Sequence, residues 1–143
     1  DIGCEYDLVF SNPPYMKTES GRPNGDGGKN IARHEVLGDI RDFVAAAARM
    51  LRFGGSFYCV YRPDRMIDLL SSMREFKIEP KRMTFVLQTP FHRPSLLLVE
   101  GMKGAGVQLT LTKPLIIESE GGKMSDDMKY IYENGDFNDG YGK

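Results

Sequence analysis

Two consecutive prolines, Pro13 and Pro14, stand directly after the apolar run Tyr6 to Ser11 and the amide of Asn12. Neither a helix nor a sheet ladder continues through two residues that lack a backbone N–H and hold φ fixed. The run therefore reads as a short strand that has to stop. Its near-continuous apolarity marks it as fully buried, the habit of strands in parallel sheets. Tyr15 follows at once, so an amide, a rigid turn and an aromatic ring meet where the strand ends.

Downstream, helical and extended patterns alternate. Residues 16–30 show neither: the segment is glycine-rich, carries Lys17, Arg22 and Lys29, and is longer than most connections in compact domains. A mobile loop, either functional or disordered, is expected there. Ile40, Phe43, Val44, Ala47, Ala48 and Leu51 recur at helical spacing, which predicts a helix over 39–52, capped by Asp39 and ended by Gly54-Gly55. Ser56 to Tyr61 reads as a second buried strand. Pro63 suits a first helical turn, and Met66, Leu69, Leu70 and Met73 give the next helix one apolar face. Strands near Arg82 to Gln88 and Ser95 to Gly101 flank a Pro90 to Pro94 turn, and Val107 to Leu111 suggests a further strand. Ser125 can cap a short helix bearing Met128, Ile131 and Tyr132, and residues 135–143 read as a polar frayed tail. The order strand, helix, strand, helix, strand, strand predicts a single α/β domain over 1–143. Its sheet should be parallel and closed by an antiparallel hairpin.

The formal charge is -1 over 143 residues, so any surface for nucleic acid has to be local rather than global. Cys4 and Cys59 form no CxxC pair, which indicates neither a disulfide framework nor a zinc site, and no metal is expected. No apolar stretch reaches membrane-spanning length and the first residues lack a basic n-region, so a soluble cytoplasmic protein without a membrane partner is expected. Gly104-Ala105-Gly106 carries neither GxGxxG nor a Gly-Lys-Ser/Thr ending and reads as a hairpin turn, not a phosphate loop.

At the carboxyl end of a parallel strand, where open α/β sheets bind ligands, Asn12-Pro13-Pro14-Tyr15 has a definite chemistry. The Asn12 amide oxygen can accept from an amino N–H, and the Pro13 carbonyl is a second acceptor held in a fixed direction. Two acceptors on one –NH2 group hold it with its nitrogen lone pair free to face an electrophile. Tyr15 offers a face for a stacked base, an interaction of about 1–3 kcal/mol. The bland alternative is a turn that merely ends a strand, with Tyr15 in the core.

Tyr6-Asp7-Leu8-Val9-Phe10-Ser11-Asn12-Pro13-Pro14-Tyr15 resembles the catalytic strand of S-adenosylmethionine-dependent amino-methyltransferases acting on adenine N6, guanine N2 or glutamine N5. Ala32-Arg33-His34-Glu35, Leu51-Arg52-Phe53-Gly54-Gly55 and Ser95-Leu96-Leu97-Leu98-Val99-Glu100-Gly101 extend the resemblance toward the bacterial tRNA adenine-N6 methyltransferases that modify adenine 37 of the valine tRNA. Lys103-Gly104, Pro114-Leu115 and Tyr130-Ile131-Tyr132 are similar to that group's tail. The resemblance implies a Rossmann-like class I methyltransferase sheet, S-adenosyl-L-methionine as cofactor and tRNA as partner. It implies that Asn12 and Pro13 bind the target amino group, with Asn12 also at the edge of the cofactor site. Pro14 would hold the turn and Tyr15 would stack on the base. Lys17, Arg22, Lys29, Arg33, Arg62 and Arg93 become candidates for tRNA phosphates. Arg33 and His34 fall in a matching stretch that either contacts RNA, positions the loop, or forms a salt bridge with Glu35 or Asp39. The Phe91-His92-Arg93 turn is expected at the same end of the sheet, with His92 a surface turn residue.

The family's sheet order is 3-2-1-4-5-7-6, and this chain matches strands 4, 5, 6 and 7. Its glycine-rich cofactor loop and ribose-binding acid normally lie a long stretch before Asn-Pro-Pro-Tyr, whereas here eleven residues precede Asn12. A C-terminal portion of a longer enzyme is therefore expected, binding the cofactor weakly or not at all by itself. Tyr6 to Ser11 would then expose an unpaired edge, open to dimerisation or domain swapping. Two alternatives remain: a glutamine-N5 methyltransferase of release factors, and a non-catalytic remnant that binds RNA or another partner.

Overall fold

The computed structural model describes residues 6–12 and 40–136. In chain order they form β1 (Tyr6–Ser11), a helix α1 (40–50), β2 (Leu51–Tyr61), a 3-10 turn (Pro63–Arg65), α2 (Met66–Glu75), β3 (Ile78–Leu87) and β4 (Pro94–Lys103). The short strands β5 (Thr110–Leu111) and β6 (Leu115–Ile116), a 3-10 turn (Glu120–Gly122) and α3 (Asp126–Asn134) follow. One mixed sheet runs β1-β2-β4-β3-β5, with β6 also pairing β3. β1 and β2 are parallel, while β4 lies between β2 and β3 and is antiparallel to both. This is the expected strand order 4-5-7-6, and the α/β fold class holds.

The two faces of the sheet are unequal. Phe57, Cys59 and Tyr61 of β2, Leu97 and Val99 of β4, and Ile78 and Met83 of β3 pack beneath α1 and α2 in one core. Ile40, Val44, Ala47 and Ala48 cover it from α1, and Leu69 and Met73 from α2, which are the helical positions the spacing predicts. Arg41 ties the helices together, pairing with Glu75 and lying 5.1 Å over the Phe76 ring. A smaller cluster on the opposite face joins Val86 and Leu115 to Leu96, Leu98, Ile117, Met128 and Ile131, and is closed by α3. Across that face, Arg82 donates to Glu100 at 2.9 and 2.6 Å, and the Tyr58 hydroxyl donates to the same carboxylate at 3.3 Å.

Four expectations change. β1 is not fully buried: Val9 packs on the core, but Tyr6, Leu8 and Phe10 are 58%, 55% and 63% exposed. Side chains alternate along a strand, and among the described residues nothing covers the second face of β1 or pairs with its outer edge. Helical structure ends at residue 50, short of the expected 52, and Leu51 already pairs with Tyr6. Between that pair and Leu8↔Ser56 the chain 52–55 turns out of register, with Gly54 at φ +84°. The strand expected over Val107 to Leu111 shrinks to Thr110–Leu111, leaving Val107 exposed. β3 in turn starts earlier than Arg82, and Pro80 sits at a register shift that spares the ladder its missing N–H. Asp39, Cys4 and nearly all of the expected frayed tail lie outside the described residues.

Candidate functional site

Strand direction gathers the candidate residues. β1, β2 and β3 all end, and β4 begins, at one edge of the sheet, the carboxyl edge where open α/β sheets hold ligands. Asn12 is exposed there, one residue beyond the Ser11↔Cys59 pair. Ser11 is buried, and its hydroxyl has no hydrogen bond of ordinary geometry. The Cys59 thiol faces it; burial pushes that thiol up to about 12, with the Ser11 hydroxyl easing it slightly down. Such a thiol stays protonated and is no nucleophile. Burial likewise raises the phenol of Tyr61 at the end of β2.

The next residues are neutralised in pairs. Arg62 forks onto Asp64 with two hydrogen bonds of 2.7 Å, and that guanidinium holds the Asp64 carboxyl below its ordinary value. Arg65 pairs with Asp68 at 2.9 Å. An arginine already forked onto a carboxylate is poorly placed to take a phosphate in the same way, so Arg62 is a weaker RNA contact than its charge alone implies.

Between β3 and β4 the turn 88–93 is built by Thr89. Its hydroxyl accepts from the Phe91 N–H at 3.2 Å and lies 2.6 Å from His92 Nδ1, while its carbonyl accepts from the His92 N–H at 3.1 Å. His92 is thus a turn-holding surface residue, as expected. Arg93 is exposed beside it. Phe91 was legible only as part of a turn, but its ring is 93% exposed. An aromatic between two prolines in an otherwise polar turn was the available signal. Pro13, Pro14, Tyr15, Lys17, Arg22, Lys29, Arg33 and His34 lie outside the described residues. Among the described residues no cluster of His, Cys, Asp and Glu is suited to hold a metal, and no helix is long and apolar enough to cross a membrane.

The edge thus presents an exposed amide, a buried hydroxyl and a projecting aromatic-basic turn. The exposed amide can hold a polar planar group, and the aromatic-basic turn offers a separate stacking surface farther along the same edge.

No family model matches the chain. Among curated proteins it is 28% identical over 131 residues to a tRNA1(Val) (adenine(37)-N6)-methyltransferase of Parabacteroides distasonis, covering 92% of this chain and 54% of that protein. It is 29% identical over 126 residues to the protein of the same name in Aeromonas salmonicida, covering 88% and 51%. It is 30% identical over 95 residues to that of Porphyromonas gingivalis, covering 66% and 36%. The chain therefore spans about half the length, or less, of these relatives. Among solved structures, a predicted O-methyltransferase from Agrobacterium tumefaciens superposes with a TM-score of 0.70 at 18% identity, over 92% of this chain and 52% of its own. A protein described as a DNA modification methylase from Thermus thermophilus, solved with S-adenosyl-L-methionine, gives 0.53 at 16% identity, over 74% and 49%. The fold is that of the Rossmann-like class I methyltransferases.

Proposed function

We propose that this chain is the substrate side of an S-adenosyl-L-methionine-dependent methyltransferase that modifies adenine N6 in tRNA in the cytoplasm. The observation that carries the reading is the position of Asn12, exposed at the carboxyl edge of β1 in a chain whose relatives bear that activity. In this reading the Asn12 amide oxygen and the Pro13 carbonyl accept the two protons of the adenine amino group. Both acceptors draw the amino protons toward the protein, so the nitrogen lone pair leaves the ring plane toward the methyl donor. The proton is lost after attack, so no general base is required. Pro14 keeps the turn rigid and Tyr15 stacks on the base. Lys17, Arg22, Lys29, Arg33, His34 and Arg93 line the approach and meet phosphates.

S-adenosyl-L-methionine would supply the methyl group as an electrophile. Of the described residues only Asn12, exposed at the carboxyl edge of β1, fits the edge of its site. Since the chain spans about half the length of these relatives, it is proposed to bind the cofactor weakly or not at all by itself. The relatives' names favour tRNA over a release-factor glutamine.

Asn12→Ala in the full protein is expected to abolish methyl transfer to tRNA while cofactor affinity by calorimetry changes little. Activity within a few-fold of wild type rejects the role given to Asn12. Transfer to release factor but not to tRNA moves the reading to the glutamine enzymes.

A further inference from the structure

Phe91 is the most exposed large apolar side chain among the described residues, at 93%. Single exposed apolar residues are common and need no explanation. This one differs because the turn beneath it is fastened: Thr89 bonds to the Phe91 N–H, to the His92 N–H and to the His92 ring, and Pro90 and Pro94 bracket the segment. A ring held out on a fixed turn loses little freedom when something stacks on it. Around it Pro90, His92, Arg93, Pro94 and Ser95 are all exposed, and the two prolines beside the ring are its only apolar neighbours within the turn, a smaller apolar surround than a protein hot spot uses. One aromatic face with an adjacent arginine is what an unpaired base and its phosphate need.

Register places the ring away from the amino-group site. Asn12 lies level with the Val60↔Leu98 and Leu98↔Thr84 pairs, and the last pair before the turn is Leu87↔Pro94. Four residues along β4 and two to three strands across put the turn roughly 20 Å from Asn12 at ordinary strand rise and spacing. A base gripped at Asn12 cannot reach it.

We infer that Phe91 is a stacking platform for an unpaired RNA base a few nucleotides from the methylated adenine, with Arg93 on the adjoining phosphate. This rests on the function proposed above and adds a second base contact outside the amino-group site.

The test uses the full protein, S-adenosyl-L-methionine and a hairpin RNA whose loop holds the target adenine, with each loop base replaced in turn by fluorescent 2-aminopurine. Wild type should quench one loop position other than the target. Phe91→Ala should lose that quenching and raise KM for the hairpin about tenfold, with a much smaller change in kcat, while Phe91→Trp keeps both. Affinity for a fully paired RNA should be the same for wild type and Phe91→Ala. Quenching by Phe91 at the target position, a loss mainly in kcat, an equal loss on paired RNA, or an unchanged KM each overturns the inference. Wild-type protein that methylates no adenine overturns the underlying function instead. The melting temperature of Phe91→Ala should match wild type, since the ring is 93% exposed.

Discussion

Lys103 is 8% exposed, an unusual place for an ammonium group, and its partners explain it. Its Nζ donates to the Ala48 carbonyl at 2.5 Å and the Leu51 carbonyl at 2.8 Å, and lies 4.9 Å over the Phe53 ring. These are the carbonyls that the end of α1 leaves without intrahelical donors, at the negative end of the helix dipole. The next residue, Gly104 at φ +82°, would drive a Cβ to within 2.6 Å of Phe53, so the pair Lys103-Gly104 works as one cap. Lys103→Met removes the donors and leaves buried carbonyls unpaired, and is expected to destabilise the protein by about 1–3 kcal/mol. Chemical denaturation checks this, and a loss under about 0.5 kcal/mol would mean that water substitutes for the ammonium. The dipeptide was visible in the sequence as a match to the tail of a family. Its capping role was not, because helix and lysine lie 55 residues apart.

Among the elements, α3 was the most legible, since both of its ends are encoded locally. The Ser125 hydroxyl accepts from the Met128 N–H at 3.1 Å and donates to the Ile116 carbonyl, and Gly135 at φ +72° closes the other end. Ser125→Ala is expected to cost about 1 kcal/mol and to loosen the smaller core where Met128 and Ile131 meet Val86 and Leu115. Faster amide exchange in residues 126–134, with α2 unchanged, is the signature. β1 shows the limit of local signals. Its bounds follow from its apolar run and the prolines after it, but its burial depends on neighbours in space. With Tyr6, Leu8 and Phe10 exposed and no described strand on its outer edge, the chain by itself is expected to self-associate through β1. A single monomer boundary in sedimentation velocity at high concentration would refute this.

For the molecule as a whole, the core beneath α1 and α2 sets a dependence on alkaline pH. Burial pushes the Cys59 thiol from its ordinary value of 9.0 up to about 12. Between those values the unfolded chain has lost a proton that the folded chain keeps, so stability falls as pH rises. Burial raises Tyr58 and Tyr61 in the same sense. Cys59→Ala should therefore lower stability near neutrality by opening space in the core, yet flatten its decline between about pH 9 and 11; parallel declines in urea midpoint would place the effect elsewhere. By itself the sequence determined the kinds and order of the elements from β1 to β4, where β1 stops and where α3 starts. These are set by side-chain period, proline and capping chemistry within a few residues. The placement of β4 between β2 and β3 was readable only through resemblance, because an antiparallel insertion leaves no periodic trace. The tertiary structure alone decided that α1 ends at residue 50, that one face of β1 stays bare, and that Phe91 projects from its turn. Each depends on groups brought together from distant parts of the chain, and no local spacing records such encounters.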